Sequence, residues 1–216
     1  MKSIIIFDMD GTILNTLGDL ADSVNYALKL CGWPEREEDE IRKALGNGVK
    51  ALIEKSVPQG ASEEETLKCL EKFKAYYSKH MYVKTAPYPG IKELFKSLKE
   101  RGCRLAVVSN KFDSAVKELC GIYFKDVFDI AIGESPEVRK KPAPDSVFKA
   151  LKELKARKED AVYIGDSEVD YNTALNSGLP CICVTWGFRD MSELEKLGAK
   201  FFAHTPAQIL DLIENL

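Results

Sequence analysis

Apolar residues along this chain occur in two rhythms. Short unbroken runs stand at 4–7, 104–108, 127–132, 161–165 and 181–184, and runs of that length read as strands covered on both faces. Alternating with them are amphipathic helical patterns at 91–100, 113–122, 145–155 and 169–177. A weaker strand at 201–203 and a helix at 207–216 close the chain. Strict strand–helix alternation predicts an α/β fold: parallel strands joined by right-handed crossovers, with helices on both faces of the sheet.

Residues 16–82 break this alternation. Helical patterns run over 17–30, 37–45, 49–56 and 62–79, with no strand pattern among them. Gly32-Trp33-Pro34 separates the first from the second, and Ser62 with Glu65 forms a capping-box start for the last. The block is expected to be a helical insertion after the first strand. Its two linkers fall near Asn15–Leu17 and Tyr82–Tyr88, and Ala86-Pro87-Tyr88-Pro89-Gly90 punctuates the return. The predicted division is residues 1–15 and 83–216 as one core and 16–82 as the insertion.

Polar chemistry gathers where the strands end. The first run leads into Asp8, Asp10, Gly11 and Thr12, and the second into Ser109, Asn110 and Lys111. Lys140-Lys141-Pro142 follows the third, and Gly165, Asp166, Ser167 and Asp170 the fourth. In open α/β sheets, ligands bind in the crevice outside the carboxyl ends of the strands. If the backbone stays extended, Asp8 and Asp10 project into one space. Two such carboxylates repel unless a cation or shared proton relieves them. An Asp-Gly turn explains one such site, but not several with complementary chemistry.

The set Asp8-Met9-Asp10-Gly11-Thr12, Ser109-Asn110-Lys111, Lys141-Pro142-Ala143-Pro144 and Gly165-Asp166-Ser167 with Asp170 resembles the haloacid dehalogenase superfamily. All four of that superfamily's motifs stand in order over nearly the whole chain, and within it the phosphoglycolate phosphatases look most similar. The resemblance implies a Rossmann-like core under an α-helical cap occupying the insertion, which opens and closes or else is a static subdomain.

The resemblance also implies an activity: hydrolysis of a small phosphorylated metabolite through an aspartyl-phosphate, with 2-phosphoglycolate as first candidate. Asp8 would be the nucleophile and Asp10 the acid and then the base. Mg²⁺, a hard cation that prefers oxygen, would be held by Asp8, Asp166 and the Asp10 carbonyl, with Asp170 behind them. Ser109, the Asn110 N–H and Lys141 would meet the phosphoryl charge. Thr12 would orient Asp10 or the turn, or simply cap a helix. In the cap, Arg42 and Gly46-Asn47-Gly48 form the expected specificity segment; its other reading is a plain interhelix turn. Lys141 could instead belong to a solvated basic run, and Asp166 and Asp170 could be helix N-terminal acids.

Two departures bear on these expectations. Asn15-Thr16 stands where many relatives have Asp-Ser, so Asn15 carries no charge there. No cap lysine suits a Schiff base, which speaks against phosphonate cleavage. Inorganic pyrophosphatase or β-phosphoglucomutase activity on the same scaffold is the nearer alternative; Thr12 disfavours the mutase, which more often has Val. A phosphoryl-accepting signalling domain is the alternative from another class, but it has no helical insertion after its first strand.

Composition narrows the classes. The 216 residues carry a net charge of −3, which argues against nonspecific nucleic-acid or anionic-membrane binding. No apolar stretch approaches the ~20 residues of a membrane helix, and the N-terminus reads as a strand rather than a signal region. The expectation is a cytoplasmic enzyme, monomer or homodimer, with no nucleic-acid or membrane partner. Six cysteines are scattered without a CxxC pair, and His80 and His204 lie far apart, so free thiols are expected rather than a zinc or disulfide framework. Cys181 and Cys183 flank Ile182 on a strand, and their sulfurs are expected to face opposite ways.

Overall fold

The run Ile4–Phe7 forms strand β1, buried at every residue. In the computed structural model, which describes residues 2–216, β1 lies between β4 (Arg104–Phe112) and β6 (Ala161–Gly165). The sheet continues through β5 (Ile130–Glu134) on one side, and through β7 (Cys181–Val184) and β8 (Phe201–Ala203) on the other. Its order is β5-β4-β1-β6-β7-β8, and every pairing is parallel. Phe7 registers with both Val107 and Ile164, so Asp8 emerges level with the ends of its two neighbours.

The two-residue period of the strands feeds two cores. Ile5 and Phe7 face helices α5 (Ile91–Glu100), α6 (Asp113–Tyr123) and α10 (Pro206–Glu214). Ile4 and Ile6 face α7 (Asp145–Glu153), α8 (Glu168–Ser177) and α9 (Met191–Lys196). On the first face Phe7, Phe95, Phe124 and Phe128 pack edge to face, with Phe95 5.2 Å from Phe7 and 5.1 Å from Phe128.

Residues 16–82 hold α1 (Leu17–Leu30), α2 (Glu38–Ala44), α3 (Gly48–Ser56) and α4 (Glu63–His80). The two connections to the sheet pair with each other as short antiparallel strands, β2 (Leu14–Asn15) and β3 (Ala86–Pro87). Asp19, buried in the first turn of α1, accepts hydrogen bonds from the main-chain N–H groups of Lys84 and Thr85, both at 2.8 Å. One carboxylate thus ties the outgoing helix to the returning strand.

Three local expectations are corrected, and one helix lies outside them. Strand β4 runs on through Ser109, Asn110 and Lys111 to Phe112 rather than ending at 108, with a register irregularity against β5 between Val108 and Phe112. Such irregularities re-aim side chains next to functional sites. Strand β5 begins at Ile130, because Phe128 is drawn into the aromatic cluster. Helix α9, too short to show periodicity, is signalled only by its capping box from Asp190 to Glu193. Cys181 and Cys183 face the same side, their sulfurs 4.0 Å apart, because positions i and i+2 of a strand share a face; Ile182 points the other way, into the other core. All six cysteines are free thiols. No helix among the described residues is long and apolar enough to cross a membrane.

Candidate active site

Lys141 stands at the centre of a buried polar cluster beyond the carboxyl ends of β1, β5 and β6. Its ammonium lies 2.7 Å from Asp8 Oδ1, 2.7 Å from Asp170 Oδ1 and 3.1 Å from the Tyr163 hydroxyl. Its side chain is only 3% exposed. Against the cost of burial, the charges of Asp170 and Asp8 hold the lysine above its ordinary pKa, so it remains a fixed cation. Lys140 instead points away to pair with Glu134 at 2.9 Å.

The lysine is aimed by Asn110. The asparagine side chain accepts from Lys141 N at 2.8 Å and donates to Lys141 O at 3.0 Å. Its amide also donates to the Gly46 carbonyl of the helical insertion at 3.0 Å. Ser109 lines the pocket beside it, and its hydroxyl accepts from Lys111 N at 3.2 Å.

Three carboxylates, Asp8, Asp166 and Asp170, place oxygens within 4.8 Å of one another. Burial, then the neighbouring charge of Asp170, raises the Asp8 pKa well above the usual carboxylate range, with Lys141 opposing. The same two causes raise Asp166 to about 7. Asp170 moves the other way: burial opposes ionisation, but Lys141 and the hydrogen bonds from Lys141, Ser167 and Tyr163 hold its pKa below the ordinary value. With all three ionised, Lys141 neutralises one charge and leaves two. An oxygen-rich site with two uncompensated negative charges fits a hard divalent cation.

Asp166 is held through both of its carboxylate oxygens. Thr12 Oγ1 donates to its Oδ1 at 3.0 Å, and Phe188 N donates to its Oδ2 at 2.7 Å. The Thr12 hydroxyl, expected to orient Asp10 or the turn or to cap a helix, serves Asp166 instead of Asp10, while the Thr12 N–H donates to Met9 O within the turn. Trp186 Nε1 holds the Thr12 carbonyl at 3.0 Å, so the loop after β7 shapes the turn after β1. Backbone crowds this carboxylate closely. A Cβ on Gly11, whose φ is +84°, would lie 2.4 Å from Asp166 Oδ2, and one on Gly187 would lie 2.2 Å from Asp166 Cβ. Only glycine fits at either place.

The backbone does not stay extended after Asp8. It turns, with Met9 O accepting from Thr12, Ile13 and Leu14 N. Asp8 and Asp10 still line one pocket, but each has its own lysine. Lys111, which the sequence placed in a motif without a role, donates to Asp10 Oδ1 at 2.8 Å. Its side chain is 2% exposed and sits over the Tyr77 ring of α4, 5.0 Å from the centroid.

The insertion closes the pocket with Leu20, Leu45, Gly46, Gly48, Val49 and Leu52, so its wall is apolar and backbone. Asn47 precedes α3, where its side chain makes no capping hydrogen bond, and does not line the pocket. Arg42 is not brought there either. Its guanidinium binds Asp39 at 2.9 Å and donates to the Phe188 carbonyl of the core. Arg189, to which the sequence assigned no individual role, reaches from the core to Leu45 O at 2.7 Å and Arg42 O at 3.3 Å, and pairs with Glu168 at 2.7 Å. Tyr163 was missed; its signal is one phenol in an otherwise aliphatic buried strand, whose hydroxyl needs a partner.

The family model described as haloacid dehalogenase-like hydrolase matches residues 5–184. The chain is 32% identical over 213 residues to phosphoglycolate phosphatase of Aquifex aeolicus (strain VF5), covering 98% of this chain and 97% of that one. Among crystal structures it is similar to a protein provisionally named phosphoglycolate phosphatase from Lactobacillus delbrueckii subsp. bulgaricus. The TM-score there is 0.94, at 38% identity and 99% coverage of each chain. It is likewise similar to a predicted phosphoglycolate phosphatase from Haemophilus somnus, with TM-score 0.91, 27% identity and coverage of 98% and 97%.

Proposed function

The chain belongs to the haloacid dehalogenase-like hydrolase family, and on that premise we propose that it is a Mg²⁺-dependent phosphatase that hydrolyses a small phosphorylated metabolite, 2-phosphoglycolate first among candidates, through an aspartyl-phosphate. The observation that carries this reading is the Lys141 ammonium, 2.7 Å from both Asp8 and Asp170 in a pocket that Asp10 also lines.

Asp8 attacks phosphorus; its Oδ–P bond forms as the ester P–O bond breaks. Asp10 gives its proton to the departing alkoxide oxygen. In the second half a water oxygen attacks the same phosphorus, Asp10 takes the water's proton, and the Asp8–phosphorus bond breaks to release phosphate. Lys141, the Ser109 hydroxyl and the Asn110 N–H are the fixed donors for the phosphoryl oxygens, already oriented before charge develops. Asp8 and Asp166, with the Asp10 carbonyl, would hold Mg²⁺, and Asp170 would steady Lys141 behind them; the ion would supply the charge neutralisation that lets two anions meet. Residues 16–82 act as the cap, hinged where β2 pairs with β3, and closure excludes water from the intermediate.

Two features support a small substrate. The pocket holds about 50 Å³, room for only a few waters on the scale of ~10–15 Å³ each. The cap residues lining it offer no polar side chain, so the hydroxyls of a sugar phosphate would find no side-chain partner there. That speaks for a short acid over a hexose phosphate and against the mutase alternative. Phosphate release with and without chelator, across 2-phosphoglycolate, pyrophosphate, sugar phosphates, nucleotides and p-nitrophenyl phosphate, tests the reading. A kcat/KM for 2-phosphoglycolate far above the rest and lost on chelation is expected. Uniformly weak rates would discard the substrate, and no release at all would discard the activity.

A further inference from the structure

A phosphatase for 2-phosphoglycolate must read a carboxylate one carbon away from the ester oxygen. Arg42, in the expected specificity segment, does not supply it. The Arg42 guanidinium is held by Asp39 and the Phe188 carbonyl, off the pocket wall. Arg189 lines the pocket, but four of its five donors are engaged by Glu168 and the Leu45 and Arg42 carbonyls. Lys141 is enclosed by Asp8 and Asp170 at the phosphoryl end.

One pocket-lining cation remains. Lys111 donates to Asp10 Oδ1 at 2.8 Å, and the buried Tyr77 hydroxyl, which has no other partner, also faces its ammonium. An ammonium carries three donors, so even with both of these engaged one N–H of this lysine has no acceptor among the described residues, although its side chain is 2% exposed. Unmatched donors on a buried ammonium are costly, and the face of Tyr77, 5.0 Å away, offsets only part of that cost. The lysine also stands in the right place. Its partner Asp10 is the residue assigned to the ester oxygen, so an anion one carbon beyond that oxygen falls beside the ammonium.

Resting on the 2-phosphoglycolate reading above, we infer that Lys111 is the specificity-determining counter-ion for the substrate's carboxylate. The pocket is then divided by charge. Lys141 and the aspartate cluster take the phosphoryl group, Lys111 takes the acid, and the apolar wall of Leu20, Leu45, Val49 and Leu52 covers the carbon between them. Tyr77 of the cap lies against the same ammonium, so the carboxylate site is complete only when α4 is seated on the core.

The test compares 2-phosphoglycolate with ethyl phosphate, which replaces the carboxylate by a methyl group, in the wild type and in Lys111→Gln, which keeps a donor for Asp10 but no charge. Intrinsic differences between the esters cancel when the two preferences are divided. The expected result is a fall of at least about 30-fold in the preference for 2-phosphoglycolate, carried mainly by KM. If Lys111→Gln does not fold, Lys111→Met fills the same buried space and reads the same ratio. A variant whose rates on both esters fall together makes Lys111 only a positioning group for Asp10 and overturns the inference while the substrate reading stands. A wild type without preference for 2-phosphoglycolate overturns both, and that result is visible before any variant is made.

Discussion

The side chain of Asn110 grips the main chain of Lys141 at both of its hydrogen-bonding groups, accepting from N at 2.8 Å and donating to O at 3.0 Å. The partners lie 31 residues apart in sequence, so this clamp fixes the loop after β5 to the end of β4 and sets where the lysine ammonium can stand. The clamp also explains why Lys141, rather than Lys140, enters the cluster.

Asn110→Ala removes both bonds, together with the one to the Gly46 carbonyl, and leaves the two main-chain groups of Lys141 unpaired, a cost of about 1–3 kcal/mol for each group. Lys141 then loses its register. The expected outcome is a fall of roughly 10–100-fold in kcat, with a lowered thermal midpoint. A variant as active as the wild type would show that Asp8 and Asp170 alone hold the lysine in place. Steady-state kinetics beside calorimetry separates the two effects.

Asp8→Asn tests the nucleophile. The amide is nearly isosteric and removes a negative charge from a site where burial and Asp170 already raise the acid's pKa. The folded protein is therefore expected to be at least as stable as the wild type without metal, while turnover falls by about 10⁴-fold or more, the scale seen when a covalent catalyst loses its nucleophile. Mass spectrometry of the wild type, quenched in acid during turnover, should show a phosphoryl adduct on Asp8 that the variant lacks. Full activity in a folded Asp8→Asn protein would remove the covalent step.

The aspartate cluster predicts an inverted pH response in the absence of metal. Asp166 has its pKa raised to about 7 from an ordinary 3.8, and Asp8 is displaced in the same direction. Below about pH 4 both states of the protein hold these protons, so there is no penalty. Between about 4 and 7 the folded state keeps protons that the unfolded chain releases, so stability falls as pH rises, by on the order of 4 kcal/mol for Asp166 over the whole window. A divalent cation replaces those protons. Thermal midpoints of chelated protein are expected to decline from pH 5 to 7.5, and added Mg²⁺ to recover the loss most strongly at the upper end. A flat profile would mean the cluster does not carry this charge.

What the sequence displayed and what it concealed divide by contact range. Asp8 and Asp10 stand out because a buried strand leads straight into them, and Asp166 and Asp170 because they follow another such strand into the start of a helix. Lys141 could be chosen only by its match to a motif, since Lys140 beside it has the same chemistry. The partner of Asp10 was hidden: Lys111 lies 101 residues away, and its place depends on β4 running past Val108. Asp19 and Arg189 were hidden likewise, because their bonds cross between cap and core over 65 and 144 residues. Periodicity reports which face of an element is buried, not which distant polar group completes it. Cys181 and Cys183 were a plain misreading of a rule that the strand itself obeys.

Arg189 predicts how firmly the cap is held. It donates from the core loop to the Leu45 carbonyl at 2.7 Å, at the cap edge of the pocket, while Glu168 fixes its other side. Arg42 returns the contact, donating from the cap to the Phe188 carbonyl next door. Phe188 N in turn holds Asp166, so the cap latch and the acid cluster share one residue of backbone. Arg189→Ala should therefore loosen closure without touching the reacting atoms. KM is expected to rise about tenfold and kcat to change less than about threefold, with faster amide exchange at 45–49 and little change in α7, which packs in the other core. Arg42→Ala should act in the same direction, and the double variant should lose less than the two single losses combined, because either arginine alone releases the same edge. Additive losses would mean that the two arginines hold separate parts of the cap.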